Sequence, residues 1–101
     1  MGFLDDAQED IDSFFEDFGT MHTFCGKEMT VIVDDDECEK LNRIWKDAVN
    51  QCTVLLFVRE SDMEKKLAIG SHVEYDDSYY FVNSLGRQNG VWKIALGRNQ
   101  V

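Results

Sequence analysis

Two histidines, three cysteines and one acidic run hold the side chains best suited to chemistry in this 101-residue sequence. His22 and Cys25, spaced as His-Thr-Phe-Cys, would supply two metal ligands. A structural zinc site takes four, commonly as two close pairs. Cys38, Cys52 and His72 stand apart along the chain, so ordinary strand residues are expected at 22 and 25 and no metal is expected. Asp34-Asp35-Asp36-Glu37 has the oxygen density of a calcium loop. That loop needs glycine at its sixth position and glutamate at its twelfth; counted from Asp34, these are Glu39 and Trp45. A strand end followed by a helix cap or a solvated loop is expected instead. Nucleophilic catalysis needs a serine or cysteine with a base in reach. His22 and His72 are the two histidines, and neither a strained nucleophile turn nor a glycine-rich phosphate loop accompanies them. Carboxylates are plentiful, but no one pair stands out. The expectation is a protein with no catalytic residue and no cofactor.

The net charge is −10 and is unevenly spread. Residues 1–40 hold 13 acids and 2 bases, or −11, whereas residues 41–101 hold 7 acids and 8 bases, or +1. An acidic surface repels phosphate backbones, which argues against sequence-specific DNA binding. Simple solubility accounts for much of such an excess. An odd cysteine count without close spacing does not read as a disulfide framework, and reduced thiols in a cytoplasmic protein fit better. No signal peptide and no membrane span are expected, since Met1 to Asp17 contains no base and no apolar run approaches spanning length.

Elements must position whatever these residues do. The length fits a single domain over 1–101, burying roughly 65% of the surface of its unfolded chain. Residues 3–18 have helical spacing: Leu4, Ala7, Ile11, Phe14 and Phe18 form one stripe that Phe3 and Phe15 widen. Gly19 is placed as its stop. Two short strands follow, Thr20 to Cys25 and Met29 to Val33, around a turn at Gly26-Lys27-Glu28. Residues 34–50 are ambiguous. Cys38, Leu41, Ile44, Trp45 and Ala48 have helical spacing, with Asp35 or Asp36 able to cap, but a mobile loop competes.

The β-rich region spans 52–96. Cys52 to Arg59 is a nearly continuous apolar run, as in strands buried on both faces. Ser61 to Lys66 is a polar link with room for one helical turn. Ser71 to Tyr75, Tyr79 to Ser84 and Val91 to Leu96 are further strands, joined by turns at Asp76-Asp77-Ser78 and within Leu85 to Gly90. The expected fold class is α+β, mainly β: an N-terminal helix with a small curled antiparallel sheet or partial barrel. The helix would cover one opening or one face. Phe57, Val73, Phe81, Val82, Ile94 and Leu96 are the expected core.

The stretch LFVRESDM, then LAIGSHVEYDDSYYFVNSLGRQNGVWKIALGR, from Leu55 to Arg98, resembles the C-terminal half of head–tail joining proteins of long-tailed phages and defective prophages. The shared order is a strand ending in arginine, a polar link with an aspartate, a glycine before a strand and a tyrosine-rich strand. A glycine-containing turn and a last strand ending Leu-Gly-Arg complete it, and the acidic N-terminal helix fits the same family. The resemblance implies a structural virion protein that self-associates in a ring below the portal, closes the head and docks the tail. It implies no cofactor and no reaction. Its partners would be the portal or adaptor ring and tail-terminator or tail-completion proteins, with central loops near channel DNA and no membrane. Its place would be the bacterial cytoplasm during assembly and then the virion neck.

Residues 34–50 do not align with that family. Asp34, Asp35, Asp36, Leu41, Ile44 and Trp45 are the expected interface, with Trp45 as its anchor because tryptophan is enriched in binding hot spots. The competing expectation is that Leu41, Ile44 and Trp45 dock a short helix on the core. A rival function is an acidic inhibitor that mimics DNA and blocks a host DNA-binding protein. The near-neutral residues 41–101 weigh against it, because a mimic needs acidic arrays over much of its surface.

Overall fold

The computed structural model describes residues 11–44, 52–63 and 66–98. Helix α1 (Ile11–Phe18) leads into strands β1 (Thr20–Phe24) and β2 (Lys27–Val33). Helix α2 (Asp35–Ile44) follows, then β3 (Val54–Arg59) and one 3-10 turn (Glu60–Asp62). Strands β4 (His72–Tyr75), β5 (Ser78–Gln88) and β6 (Val91–Gly97) complete the order. The expected α+β, mainly β class holds. The sheet does more than curl, because its six strands close into a barrel in the order β1-β2-β3-β6-β5-β4, every neighbour antiparallel.

Two-residue turns make this economical topology possible. Cys25 and Gly26 have φ of 57° and 80°, Asp76 and Asp77 of 50° and 68°, Asn89 and Gly90 of 53° and 78°. Positive φ at both central residues is the pattern of tight hairpins that match strand twist. The first turn therefore sits one residue earlier than the sequence indicated, and Lys27 and Glu28 belong to β2. The stretch Leu85–Gln88, expected as part of a turn, extends β5. Only Asn89-Gly90 is needed to reverse the chain. Val82 pairs with Leu96 and Ser84 with Ala95, so Asn83 is an extra residue in β5. Such a bulge adds twist and helps a small sheet curve into closure.

Period-2 alternation sorts the apolar residues into two layers. Phe24, Met29, Val31, Leu56, Val58, Val73, Tyr75, Tyr80, Val82, Ile94 and Leu96 fill the barrel. Ile32, Leu55, Phe57, Val91 and Ala95 point outward from β2, β3 and β6, and there Phe15 of α1 and Cys38 of α2 cover them. Strand β3 is thus buried on both faces, as its unbroken apolar run required. The helices cover one face of the barrel, and α1 packs against β2.

Two expected placements change. Phe81 is not in the core; it lies in β5 one step out of phase with Tyr80 and Val82, half-buried and stacked on His72 with ring centroids 4.9 Å apart. In α1 the buried centre is Phe15, fully enclosed, whereas Phe18 is 62% exposed and rests on Phe14. The buried side of α1 therefore centres on Phe15, with Phe18 turned outward. The expected helical residues 3–10 lie outside the described residues.

Candidate functional site

Helix α2 carries four of the six residues expected at an interface, and a fifth, Asp34, immediately precedes it. Asp34 is its N-cap: Oδ1 accepts the Glu37 backbone N–H at 3.0 Å. The cap is therefore Asp34 and not Asp35 or Asp36, which are exposed in the first turn. There, their charge suits the positive end of the helix. Leu41 is half-buried against the outer apolar layer, while Ile44 is 75% exposed. Residues 35–44 are thus helix and not loop. Leu41 docks the helix, Ile44 does not, and Trp45 lies outside the described residues.

The helix is tied to the barrel by charge as well. Glu37 Oε2 accepts from Lys93 Nζ at 2.9 Å and its Oε1 from Lys40 at 3.3 Å. The Lys93 hydrogen bond, helped by Lys40 and opposed by partial burial, holds the Glu37 carboxyl below the usual carboxylate range. A depressed folded-state pKa contributes stability above the unfolded value and loses it as pH falls through the folded one. Glu37→Gln should therefore be less stable than the parent at pH 7. The difference should vanish on acidification below the ordinary carboxylate range, as read by urea melts at each pH.

Lys93 is one of several second-half bases folded onto acids. Arg59 Nη1 reaches Asp12 at 3.1 Å, its Nε reaches Asp62 at 2.9 Å, and its guanidinium lies 5.3 Å from the Phe15 ring centre. Arg87 reaches Glu60 at 3.2 Å. The charge asymmetry of the sequence is therefore partly cancelled within the fold, where Asp12 and Glu37 of the acidic first half meet Arg59 and Lys93 of the second.

On the other side of the barrel, the outer faces of β4 and β5 hold an aromatic group. His72 stacks on Phe81 and lies 5.1 Å from Tyr79, which is 63% exposed. Ile69, 67% exposed, precedes β4. A shallow depression of about 300 Å³ beside them is lined by residues including Cys25, Leu67, Ser71, His72 and Glu74. Phe18 at the end of α1 and Met21 in β1 are also exposed, at 62% and 63%. None of these side chains was singled out from sequence as interface. The available signal was parity, since Tyr79 and Phe81 are out of phase with the buried Tyr80 and Val82.

One hydroxyl–imidazole–carboxylate chain invites a catalytic interpretation. Thr20 Oγ1 lies 2.6 Å from His22 Nε2, and His22 Nδ1 lies 2.5 Å from Asp76 Oδ2. That is the order of a nucleophile, a base and its orienting acid. The same contacts serve barrel closure. Strands β1 and β4 share a single registered pair, Phe24 with Tyr75. Asp76 reinforces that seam, accepting Thr23 N–H on Oδ1 at 3.1 Å and donating its own N–H to Thr23 O at 2.9 Å. Burial, with the Asp76 charge beside it, pushes Tyr75 up to about 12, so its hydroxyl stays protonated 3.3 Å from His22 Nδ1. Thr20 is exposed on the strand surface.

Cys38 and Cys52, distant in sequence, meet: their sulfurs are 2.7 Å apart, and the Cys38 thiol also lies 3.2 Å from the Cys52 carbonyl oxygen. The expectation of isolated thiols fails for this pair because α2 folds back over the start of β3. Among the described residues no three His, Cys, Asp or Glu side chains gather as a metal-binding group, and no helix is long and apolar enough to cross a membrane.

No protein-family model and no curated protein matches the sequence. Among solved structures, the chain is similar to the crystal structure of the ATP-binding sugar transporter-like protein from Salmonella typhimurium. The TM-score is 0.53 at 17% identity, over 96% of this chain and 93% of that one. At that identity the likeness concerns the fold.

Proposed function

We propose that the protein is a structural component of a phage or prophage head–tail joint, working by binding and not by catalysis. The observation that carries this is the Leu55–Arg98 resemblance, because its distinguishing residues act as fasteners of the barrel. The arginine ending β3 and the aspartate of the polar link are the Arg59–Asp62 pair. The tyrosine-rich strand and the terminal Leu-Gly-Arg meet where Arg98 lies 4.9 Å from the Tyr80 ring centre and donates to its hydroxyl at 3.2 Å. The glycine before the strand, Gly70, has φ of 90° and donates to Val82 O at 2.7 Å. A likeness in these residues is a likeness in how the domain is held together.

A small closed barrel offers rigid strands with contact residues outside them. A ring needs two different patches on each subunit. The α2 end with Ile44, and the aromatic face of β4 and β5, are two such surfaces on different elements. The protein should be monomeric alone and assemble on a preformed portal or adaptor ring, then present a surface to tail-completion proteins.

The test adds the purified chain to DNA-filled heads and free tails and counts joined particles, with a parallel pull-down against portal–adaptor rings and basic host DNA-binding proteins. Joining and ring capture are expected. Capture by the basic proteins alone would overturn the proposal in favour of an acidic DNA mimic. Ile44→Asp should reduce joining about tenfold or more, as for loss of an interface anchor. Its melting temperature should stay near the parent's because an exposed side chain contributes little to stability.

A further inference from the structure

We propose that Cys38 and Cys52 are a modification site, forming a reversible disulfide that fastens α2 to the start of β3 under oxidising conditions. This does not depend on the head–tail proposal. Two independent observations converge on it. The first is the sulfur separation of 2.7 Å between two buried thiols. The second is a backbone clamp that holds residue 52 without using sulfur. Asn42 Oδ1 accepts the Cys52 N–H at 2.7 Å, and its Nδ2 donates to the Cys52 carbonyl at 2.9 Å. One amide side chain thus plays the part of a neighbouring strand, fixing Cys52 one turn along α2 from Cys38.

Disulfides require close approach of the two β-carbons and persist where the surroundings are oxidising. In a reducing compartment the pair stays as thiols, and burial together with the Cys38 contact pushes the Cys52 thiol up. Hydrogen peroxide supplies the oxidising equivalents in a balanced sequence. One sulfur attacks peroxide, the O–O bond breaks, and a sulfenic acid and one water result. The second thiol attacks that sulfur, the S–S bond forms, the S–O bond breaks, and a second water leaves. Two thiols lose two hydrogens, and one peroxide becomes two waters. Cys25, at the β1–β2 turn, takes no part.

The closed loop spans 38 to 52 and includes Ile44, so oxidation would staple both ends of the segment that bears the candidate contact. Loop closure restricts the unfolded chain more than the folded one, which already holds the sulfurs together.

The full-length chain carrying Cys25→Ser is treated with hydrogen peroxide under native conditions and examined by intact mass, peptide mapping and thermal melting. The expected results are a loss of two hydrogen masses, a Cys38–Cys52 cross-linked peptide and a melting temperature raised by about 10 °C. Dithiothreitol should reverse all three. Asn42→Ala should slow cross-linking, since it leaves both sulfurs but releases Cys52. Cys52→Ser should show no oxidant-dependent shift; if circular dichroism shows it misfolded, Cys38→Ala serves, and mapping of the Cys25→Ser chain is decisive without either. Two free thiols remaining after oxidation, a cross-link only in denaturant, or only intermolecular dimers would overturn the proposal.

Discussion

Replacing Phe57 with alanine should lower unfolding free energy by about 3–5 kcal/mol, the range for emptying a buried aromatic site. Replacing Phe81 should cost at most about 1 kcal/mol, the scale of a surface aromatic pair. Both residues lie in apolar strand runs of similar composition. Phe57 is 3% exposed, pointing away from the barrel interior into the layer roofed by Phe15 and Cys38. Its removal leaves a void that neither the sheet nor the helices can fill without moving. Phe81 stacks on His72, on a face no described helix covers. Urea unfolding of the two variants checks the contrast. Equal losses would mean that the outer aromatic face is packed as tightly as the helix-covered one.

Gly19→Ala should cost about 3 kcal/mol, at the upper end of what overpacking costs. A Cβ there would come well under 3.0 Å from both the Phe15 carbonyl oxygen and Thr30 Cγ2. The carbonyl cannot yield freely, because it accepts the Gly19 N–H at 2.8 Å in closing α1. Gly26→Ala is the control. Nothing lies within 4 Å of its Cβ position, so its cost comes from φ of 80° alone and should be about 1 kcal/mol. Thermal or urea melts separate the two. A Gly19→Ala protein as stable as the parent would mean that α1 and β2 can part without penalty.

Gly19 also shows what sequence can and cannot supply. The helix stop was legible, but as a residue suited to left-handed backbone. The structure makes it a point of close approach between a helix and a neighbouring strand, which no local pattern encodes. The strands were legible because alternation and turn residues are local. Closure of the barrel was not, since it depends on the Asn83 bulge and on a β1–β4 pairing across some fifty residues. In residues 34–44, helical spacing placed Leu41 at the expected interface and offered docking only as the competing expectation, in both cases grouped with Ile44, which is three positions on and faces solvent. Asp34 was legible as part of an acidic run and acts chiefly as a cap. The Cys38–Cys52 pairing was illegible because spacing carries no information about which turn of α2 overlies β3.

The narrow β1–β4 seam has a consequence for how the chain reaches its native state. Every other strand pairing joins either a hairpin or a longer ladder, so this joint offers the least reward for the largest loop closure. It is therefore the step at which the nearly finished sheet still has two free edges. Bare edges invite strands from other molecules. Glu74, Asp76 and Asp77 on one edge and Glu28 beside the other place like charge where two such sheets would meet. Asp76, whose carboxylate closes the barrel within one molecule, thus sits among acids whose like charge disfavours edge-to-edge pairing between molecules.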